Sequence, residues 1–301
     1  MILDNIKKIF KKQKNLLNRN FEYPFFILPI HQQAIEKQGY IHLKNVVDIK
    51  NIQELMNVFD EVNQKFNLIN PEEPYFLNTM ALENKEPKRF IQEITTPIVN
   101  KILNKILISN SFKAPFGSAF CINPPHTKRL CKSHQDPAYV DETKIYSLIV
   151  WIPLMDINET NGRIHVLPQS HLWGNSYRAI CMDWAFEPFS NDLLKAMTPI
   201  DTKLGDMIIF DGALIHASSA NKTDKFRLAV NIPVLPIHEK MVTYFKVGKN
   251  KGYKYEIDES YYLDEFLMNK PSNKYRQIKN ITFGNYNKND IYNLLSKIKD
   301  C

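Results

Sequence analysis

Cysteine is scarce in this 301-residue chain: Cys121, Cys131, Cys181 and Cys301 form no CxxC pair and stand 10, 50 and 120 residues apart. That spacing excludes a zinc ribbon or a disulfide scaffold and points to a reducing compartment. Long apolar runs are missing as well. The longest, 146–154 and 207–210, fall short of the ~18 residues that a transmembrane helix needs. The N-terminus carries no signal-peptide core, so the sequence predicts a cytoplasmic protein. Internal repeats and low-complexity tracts are also lacking. What is present is 44% hydrophobic and 12% aromatic residues, too much bulky apolar material for a disordered chain. The length suits one large domain or two modest ones.

The net charge of +7 suggests nucleic acid or an anionic surface only if the charge is clustered. It sits at the ends: residues 1–20 and 240–301 each carry +5, and residues 21–239 carry −3. With no basic motif in the middle, a nucleic-acid partner is not expected. Residues 1–20 space Ile2, Ile6, Ile9 or Phe10, and Leu16 or Leu17 helically between Lys7, Lys8, Lys11, Lys12, Lys14 and Arg19. We read a peripheral amphipathic helix, with contact to a membrane surface as the minor alternative. A proline-containing joint, 23–29, follows.

The segment 39–46 alternates like a half-buried strand, and 52–66 returns to helical spacing through Leu55, Val58, Phe59, Val62 and Phe66. Residues 68–95 show no clear period, and 98–108 looks helical. Beyond Pro115 short strands are predicted near 117–122, 145–151, 163–167, 206–210 and 226–235, separated by Pro, Gly, Asn and Asp. Short strands at irregular spacing favour a mainly β sandwich or barrel with flanking helices. Asn161-Gly162 is the strongest turn signal. We divide the chain into a basic helical extension (1–33), a main domain (34–239) and a C-terminal extension (240–301). The extension either packs on the barrel or forms part of a lid, and its one weak helical pattern is 291–298.

His134-Gln135-Asp136 precedes a strand, and His216 follows the strand 207–210. Two imidazoles and a carboxylate make the facial triad that holds non-haem Fe(II) and leaves coordination positions open. In extended chain, residues i and i+2 share a side, so His134 and Asp136 reach one metal while Gln135 points away. Alone, His-x-Asp is weak: 8 His and 16 Asp give a chance occurrence of about 0.4. Arg227, 11 residues past His216 in an apolar strand, adds weight. Inside a strand its charge needs a buried anion, and a guanidinium clamps a carboxylate through two parallel hydrogen bonds. An arginine at a strand edge facing water is the plainer reading. The remaining histidines, His31, His42, His126, His165, His171 and His238, are read as structural.

These residues, with 150–156, Asn161-Gly162-Arg163, Pro168-Gln169-Ser170-His171, Gly205-Asp206 and His216-Ala217-Ser218, resemble the phytanoyl-CoA dioxygenase (PhyH)-like family of Fe(II)/2-oxoglutarate oxygenases. The resemblance covers about residues 34–236. The family usually has Gly where this chain has Gln169. The resemblance implies a double-stranded β-helix, the jelly-roll or cupin-like barrel, with His134, Asp136 and His216 as Fe(II) ligands. It further implies that Arg227 holds the distal carboxylate of 2-oxoglutarate, Ser218 assists it, and Trp151 lines the pocket. Ser218 is equally readable as a surface hydroxyl and Trp151 as core. The implied reaction is a dioxygenase hydroxylation of an unactivated carbon, consuming 2-oxoglutarate and O2 and releasing succinate and CO2. Asp136 argues against the related halogenases, which have Gly or Ala at that ligand position. The alternatives are a cupin-type isomerase, a 2-oxoglutarate-independent dioxygenase, or a non-catalytic binding domain.

The partner is a small molecule, and the oligomeric state is not legible. Coenzyme A esters, free acids, amino acids, sugars and specialised metabolites all remain open. Loops at the mouth set specificity in such barrels, here 67–88, 172–199 and the C-terminal extension. Trp173, Tyr177, Met182, Trp184, Phe186 and Phe189 are lid candidates, with plain packing at least as good a reading.

Overall fold

Proline at the first turn and glycine at the end bracket the first helix among the described residues, α1 (Pro29–Gln38), which begins where the proline-containing joint ends and which the sequence reading did not assign; Gly39 closes it in the left-handed region and donates to the Ile35 carbonyl. The computed structural model describes residues 19, 21–69, 76–127, 131–180, 182–248, 250–265, 269–283 and 286–298. The basic helix read over 1–20 lies outside them, apart from Arg19. That residue is buried and bidentate to Asp211 at 2.9 and 2.8 Å, not on a solvated basic face.

After β1 (Tyr40–Leu43) comes α2 (Ile49–Phe66), which buries the expected stripe of Ile52, Leu55, Val58, Phe59 and Val62. The next helix, α3 (Lys85–Leu103), starts 13 residues earlier than its apolar spacing suggested. Asn84 caps it by accepting from the Glu86 N–H, while the charged first turns (Lys85, Glu86, Lys88, Arg89), Gln92 and Glu93 and the internal Pro97 obscure the period.

The strands are β2 (Leu77–Asn78), β3 (Phe112–Lys113), β4 (Ala119–Asn123), β5 (Cys131–His134), β6 (Leu148–Pro153), β7 (Ile164–Val166), β8 (Thr198–Ile200), β9 (Met207–Asp211), β10 (His216–Ser218) and β11 (Arg227–Pro236). A short helix, α4 (Ser190–Ala196), precedes β8. The strands make two antiparallel sheets: β1-β9-β6-β11-β4-β2, with β3 also on β11, and β5-β10-β7-β8. Every residue of β4, β6 and β9 is buried, because helices cover the outer face of the larger sheet. Phe59 of α2, for example, packs edge-on against Phe120 of β4 with centroids 5.3 Å apart.

Past residue 240 the structure departs most from the sequence reading. A third sheet, β12 (Met241–Val247), β13 (Lys251–Ile257) and β14 (Arg276–Thr282), precedes α6 (Lys288–Ile298), with α5 (Glu259–Asp264) between its last two strands. Its Tyr-, Lys- and Asn-rich strands carry little apolar alternation. Their burial comes from tertiary contacts: the Val242 N–H donates to Tyr139, and Lys254, 8% exposed, pairs with Asp141 at 2.7 Å. Among the described residues no helix is long and apolar enough to cross a membrane.

Candidate metal centre and its two pockets

Antiparallel pairing of β5 with β10 sets His134, the last residue of one strand, directly opposite His216, the first of the other. Their rings lie 4.2 Å apart, and Phe210 of β9 flanks His216 at 4.8 Å. Asp136, two residues past His134, completes the group: one ligand atom from each residue lies within 4.8 Å of the others.

Both histidines turn Nδ1 to a backbone carbonyl, His134 to Lys132 at 2.8 Å and His216 to Leu214 at 3.0 Å. A carbonyl only accepts, so Nδ1 carries a proton in each ring and Nε2 faces the centre. The Asp136 Oδ2 atom is buried, has no hydrogen-bond partner, and lies 3.9 Å from His216 Nε2. An orphaned carboxylate oxygen beside imidazole nitrogens is costly without a cation, so this donor set fits a divalent metal ion. Burial, aided by the charge of His134, lowers His216 to about 4 and leaves it neutral at pH 7. Burial also disfavours charge on His134, but the Cys131 sulfur and Asp136 outweigh it and raise His134 to about 10. A metal ion bound to these three residues would take the place of that proton.

Arg227, the first residue of β11, is 1% exposed, which removes the reading of a water-facing strand edge. Its Nε and Nη2 have no hydrogen-bond partner, and Cζ lies 5.9 Å from the rings of both Phe76 and Trp151. Burial holds this guanidinium below its ordinary value. A pocket of about 60 Å³ joins Arg227, Ser218 and Trp151 to the three metal-facing residues. Trp151 is 4% exposed and belongs to the main core, so the pocket reading and the core reading both hold. Ser218 is half-buried and pairs with Cys131 and Ile164, which places its hydroxyl at the pocket and not at the outer surface.

Gly162 lies beside this pocket in the Asn161-Gly162 turn, at φ +95°; an added Cβ meets Asn123 Nδ2 at 2.6 Å and the Ser219 carbonyl at 2.9 Å. Only glycine fits there. A second, larger cavity of about 290 Å³ opens on the other side of His134 and Asp136, and the two share Asn78 and Asn231. Of the lid candidates, Met182 and Trp184 line it. Trp173 and Phe186 are buried in a separate apolar cluster with Phe189 packed against it, and Tyr177 stacks on Tyr244 at 5.2 Å.

Sequence reasoning missed four residues. Asn231 is four positions past Arg227 in the same strand, so period-two alternation puts both on one face; that signal was present. Gln135 does point away from the metal side, but it anchors the cavity wall: its Oε1 accepts from Trp184 Nε1 at 3.2 Å. Arg178 and Glu142 form a buried bidentate pair at 2.7 and 2.9 Å, and Arg178 Nε donates to the Asp136 carbonyl at 2.7 Å. No local pattern announces that pair. The other histidines stay outside the centre. His171 ties to the Glu36 carbonyl, His165 to Ser219, His42 to Asp206 and His126 to Asp224.

The sequence model of the phytanoyl-CoA dioxygenase (PhyH) family matches residues 35–229. Phytanoyl-CoA dioxygenase 1 of Oryza sativa subsp. japonica is 31% identical over 105 residues, covering 34% of this chain and 37% of that protein. Dioxygenase andF of Emericella variicolor is 20% identical over 222 residues, covering 68% and 73%. The match thus spans little more than a third of the rice protein. Among solved structures, the non-heme alpha ketoglutarate dependent carbocyclase SnoK from nogalamycin biosynthesis superposes with a TM-score of 0.50 at 16% identity, over 71% of this chain and 86% of that one. HygX from Streptomyces hygroscopicus, solved with nickel and 2-oxoglutarate bound, also gives 0.50, at 9% identity over 70% and 88%. At such identities the likeness speaks to the fold, the two-sheet jelly roll described above.

Proposed function

The chain belongs to the phytanoyl-CoA dioxygenase family of iron- and 2-oxoglutarate-dependent oxygenases, and from that premise we propose that it hydroxylates an unactivated carbon of a small organic substrate. The balance is one C–H bond, one O2 and one 2-oxoglutarate in, and one C–OH, one succinate and one CO2 out. In this reading His134 and His216 present Nε2, and Asp136 a carboxylate oxygen, to Fe(II). Arg227 receives the distal carboxylate of 2-oxoglutarate, Ser218 donates its hydroxyl beside it, and Trp151 closes the wall. When bound, iron with 2-oxoglutarate and dioxygen supplies the oxidant for the C–H bond.

The protein's own part is placement. The Nδ1 bonds to Lys132 and Leu214 fix the ring orientations, and the dry surroundings of Arg227 strengthen its hold on an anion. One observation carries the reading: a fully buried guanidinium with two unpartnered nitrogens shares a pocket with an orphaned carboxylate and two outward-facing Nε2 atoms. A cupin-type isomerase has no need of that guanidinium.

The test is anoxic calorimetry with Fe(II) and then 2-oxoglutarate, followed by succinate release under air. Wild type is expected to bind both and release succinate, and His216→Ala to release none. Iron binding without 2-oxoglutarate binding would sink the proposal. Cys121 and Cys131 are free thiols, which supports a reducing, cytoplasmic setting as our reading of location.

A further inference from the structure

The two pockets that meet at the metal-facing residues differ in charge chemistry. The smaller holds Arg227. The larger is walled by Met80, Ala119, Ile180, Met182, Trp184 and Pro233, and among its described lining residues there is no Lys or Arg. Arg178, a buried cation behind Asp136, is fully engaged by Glu142 and by the carbonyls of Asp136 and Asn175. A carboxylate placed here loses its hydration, faces the like charge of Asp136 and, beyond the metal centre itself, finds no cationic side chain among the described lining residues. An ammonium fares no better, since Asp136 is the sole carboxylate of the described lining and is committed to the metal.

Apart from the metal-facing His134 and Asp136, the polar groups of this cavity are sparse and neutral. Gln135 spends its amide on Trp184, Asn175 and the Ala213 carbonyl, which pins the indole as a rigid apolar wall. The Asn78 oxygen accepts from the Met80 N–H. The side-chain amide of Asn231, at the junction of the two pockets, has no hydrogen-bond partner among the described residues. A volume of about 290 Å³ is near the lower end of small-molecule sites.

We propose that the larger cavity takes an uncharged, mostly hydrocarbon substrate bearing a neutral oxygen function, hydroxyl, ketone or ether, which Asn231 holds while a C–H bond faces the metal. This deepens the oxygenase reading and rests on it for the identity of the site. Free acids and amines find no dedicated counter-charge among the described lining residues and are disfavoured as substrates, and Met80 and Met182 adapt the walls to an irregular carbon skeleton.

The experiment is anoxic calorimetry of the protein loaded with Fe(II) and 2-oxoglutarate, titrated with decan-1-ol, decanoate and decylammonium, one chain with three head groups. Decan-1-ol is expected to bind at least about 30-fold tighter than either ion, the scale set by stranding a charge in an apolar site. Either ion binding as tightly as the alcohol overturns the proposal. Ala119→Phe fills the cavity and is expected to weaken decan-1-ol about tenfold or more while leaving 2-oxoglutarate affinity unchanged; an unchanged decan-1-ol affinity places the alcohol elsewhere and overturns it. If that variant does not fold, Met182→Trp blocks the same cavity from a loop. In Asn231→Leu the alcohol is expected to weaken about fivefold, and no weakening removes the assigned oxygen partner. Failure of 2-oxoglutarate to bind, with the alcohol still preferred, overturns the oxygenase reading alone.

Discussion

Arg227 concentrates the cost and the use of a single buried charge. In the protein as described its guanidinium has two unpartnered nitrogens at 1% exposure, a costly arrangement that the proposed binding of an anion would offset. Arg227→Leu therefore has two effects of opposite sign. Affinity for 2-oxoglutarate is expected to fall about 100-fold, the size of a lost charge-assisted pair, while the ligand-free protein melts no lower than wild type and by our argument higher. Calorimetry and thermal denaturation on the same preparation read both; a lower melting temperature would show that Arg227 has a protein partner. Gln169 is a second residue whose backbone decides its cost. The sequence comparison expected glycine there, and the residue sits at φ +65°, in the left-handed region. Its N–H donates to the Gln38 carbonyl, so the conformation is fixed by the contact to α1. Gln169→Gly is expected to gain about 1 kcal/mol, seen as a rise of ~2 °C in melting temperature with unchanged metal affinity.

At the scale of elements, the cluster of His134, Asp136 and His216 was legible because period-two alternation lets the end of one short strand and the residue two positions on share a side, and β10 sets His216 directly opposite His134. The barrel strands were legible for a related reason: β6 is apolar throughout and β9 is apolar up to Asp211, as strands covered on both faces tend to be. The start of α3 was not, since charged residues and Pro97 interrupt its stripe, nor was the sheet β12-β13-β14, whose tyrosines and lysines become buried only against other elements. The least legible part is the loop after β5. Asp136 is held there by Arg178, which sits 42 residues away and is itself fixed by Glu142, a pairing that no local pattern encodes. Arg178→Gln leaves Glu142 buried and unpaired, with an expected loss of ~3–5 kcal/mol and metal affinity down about 10- to 100-fold. The double variant Arg178→Leu with Glu142→Leu separates the two effects. Stability is expected to recover most of the loss while metal affinity stays low; recovery of both would show that the pair serves folding alone.

Across the whole molecule, the composition that first suggested a basic protein resolves into a mildly acidic barrel whose strongest electrostatics are buried. Arg19, counted with the basic N-terminal segment, instead crosses to β9, pairs with Asp211, and donates to the His171 carbonyl from beneath the loop that carries it. His171 is 1% exposed, and burial, reinforced by the charge of Arg19, lowers it to about 3. This gives the fold an acid sensitivity of definite sign. Between pH 6.5 and about 3 the folded protein keeps His171 neutral while the unfolded chain protonates it. The unfolded state therefore binds more protons in that window, and stability is full above pH 6.5 and falls with decreasing pH by up to ~1.4 kcal/mol per pH unit from this group. The metal-free protein adds a second such group, since His216 is lowered to about 4, whereas a bound metal ion competes with the proton there. Denaturant melts at pH 6.0, 5.0 and 4.0, below the window in which the raised His134 of the metal-free protein acts with the opposite sign, are expected to show the loss with and without divalent metal. His171→Gln removes one titrating group, so its stability is expected to fall with pH less steeply than wild type by up to the same ~1.4 kcal/mol per unit. An identical slope in that variant would mean that His171 is protonated in the fold, with its charge held by a partner other than the neighbouring Arg19.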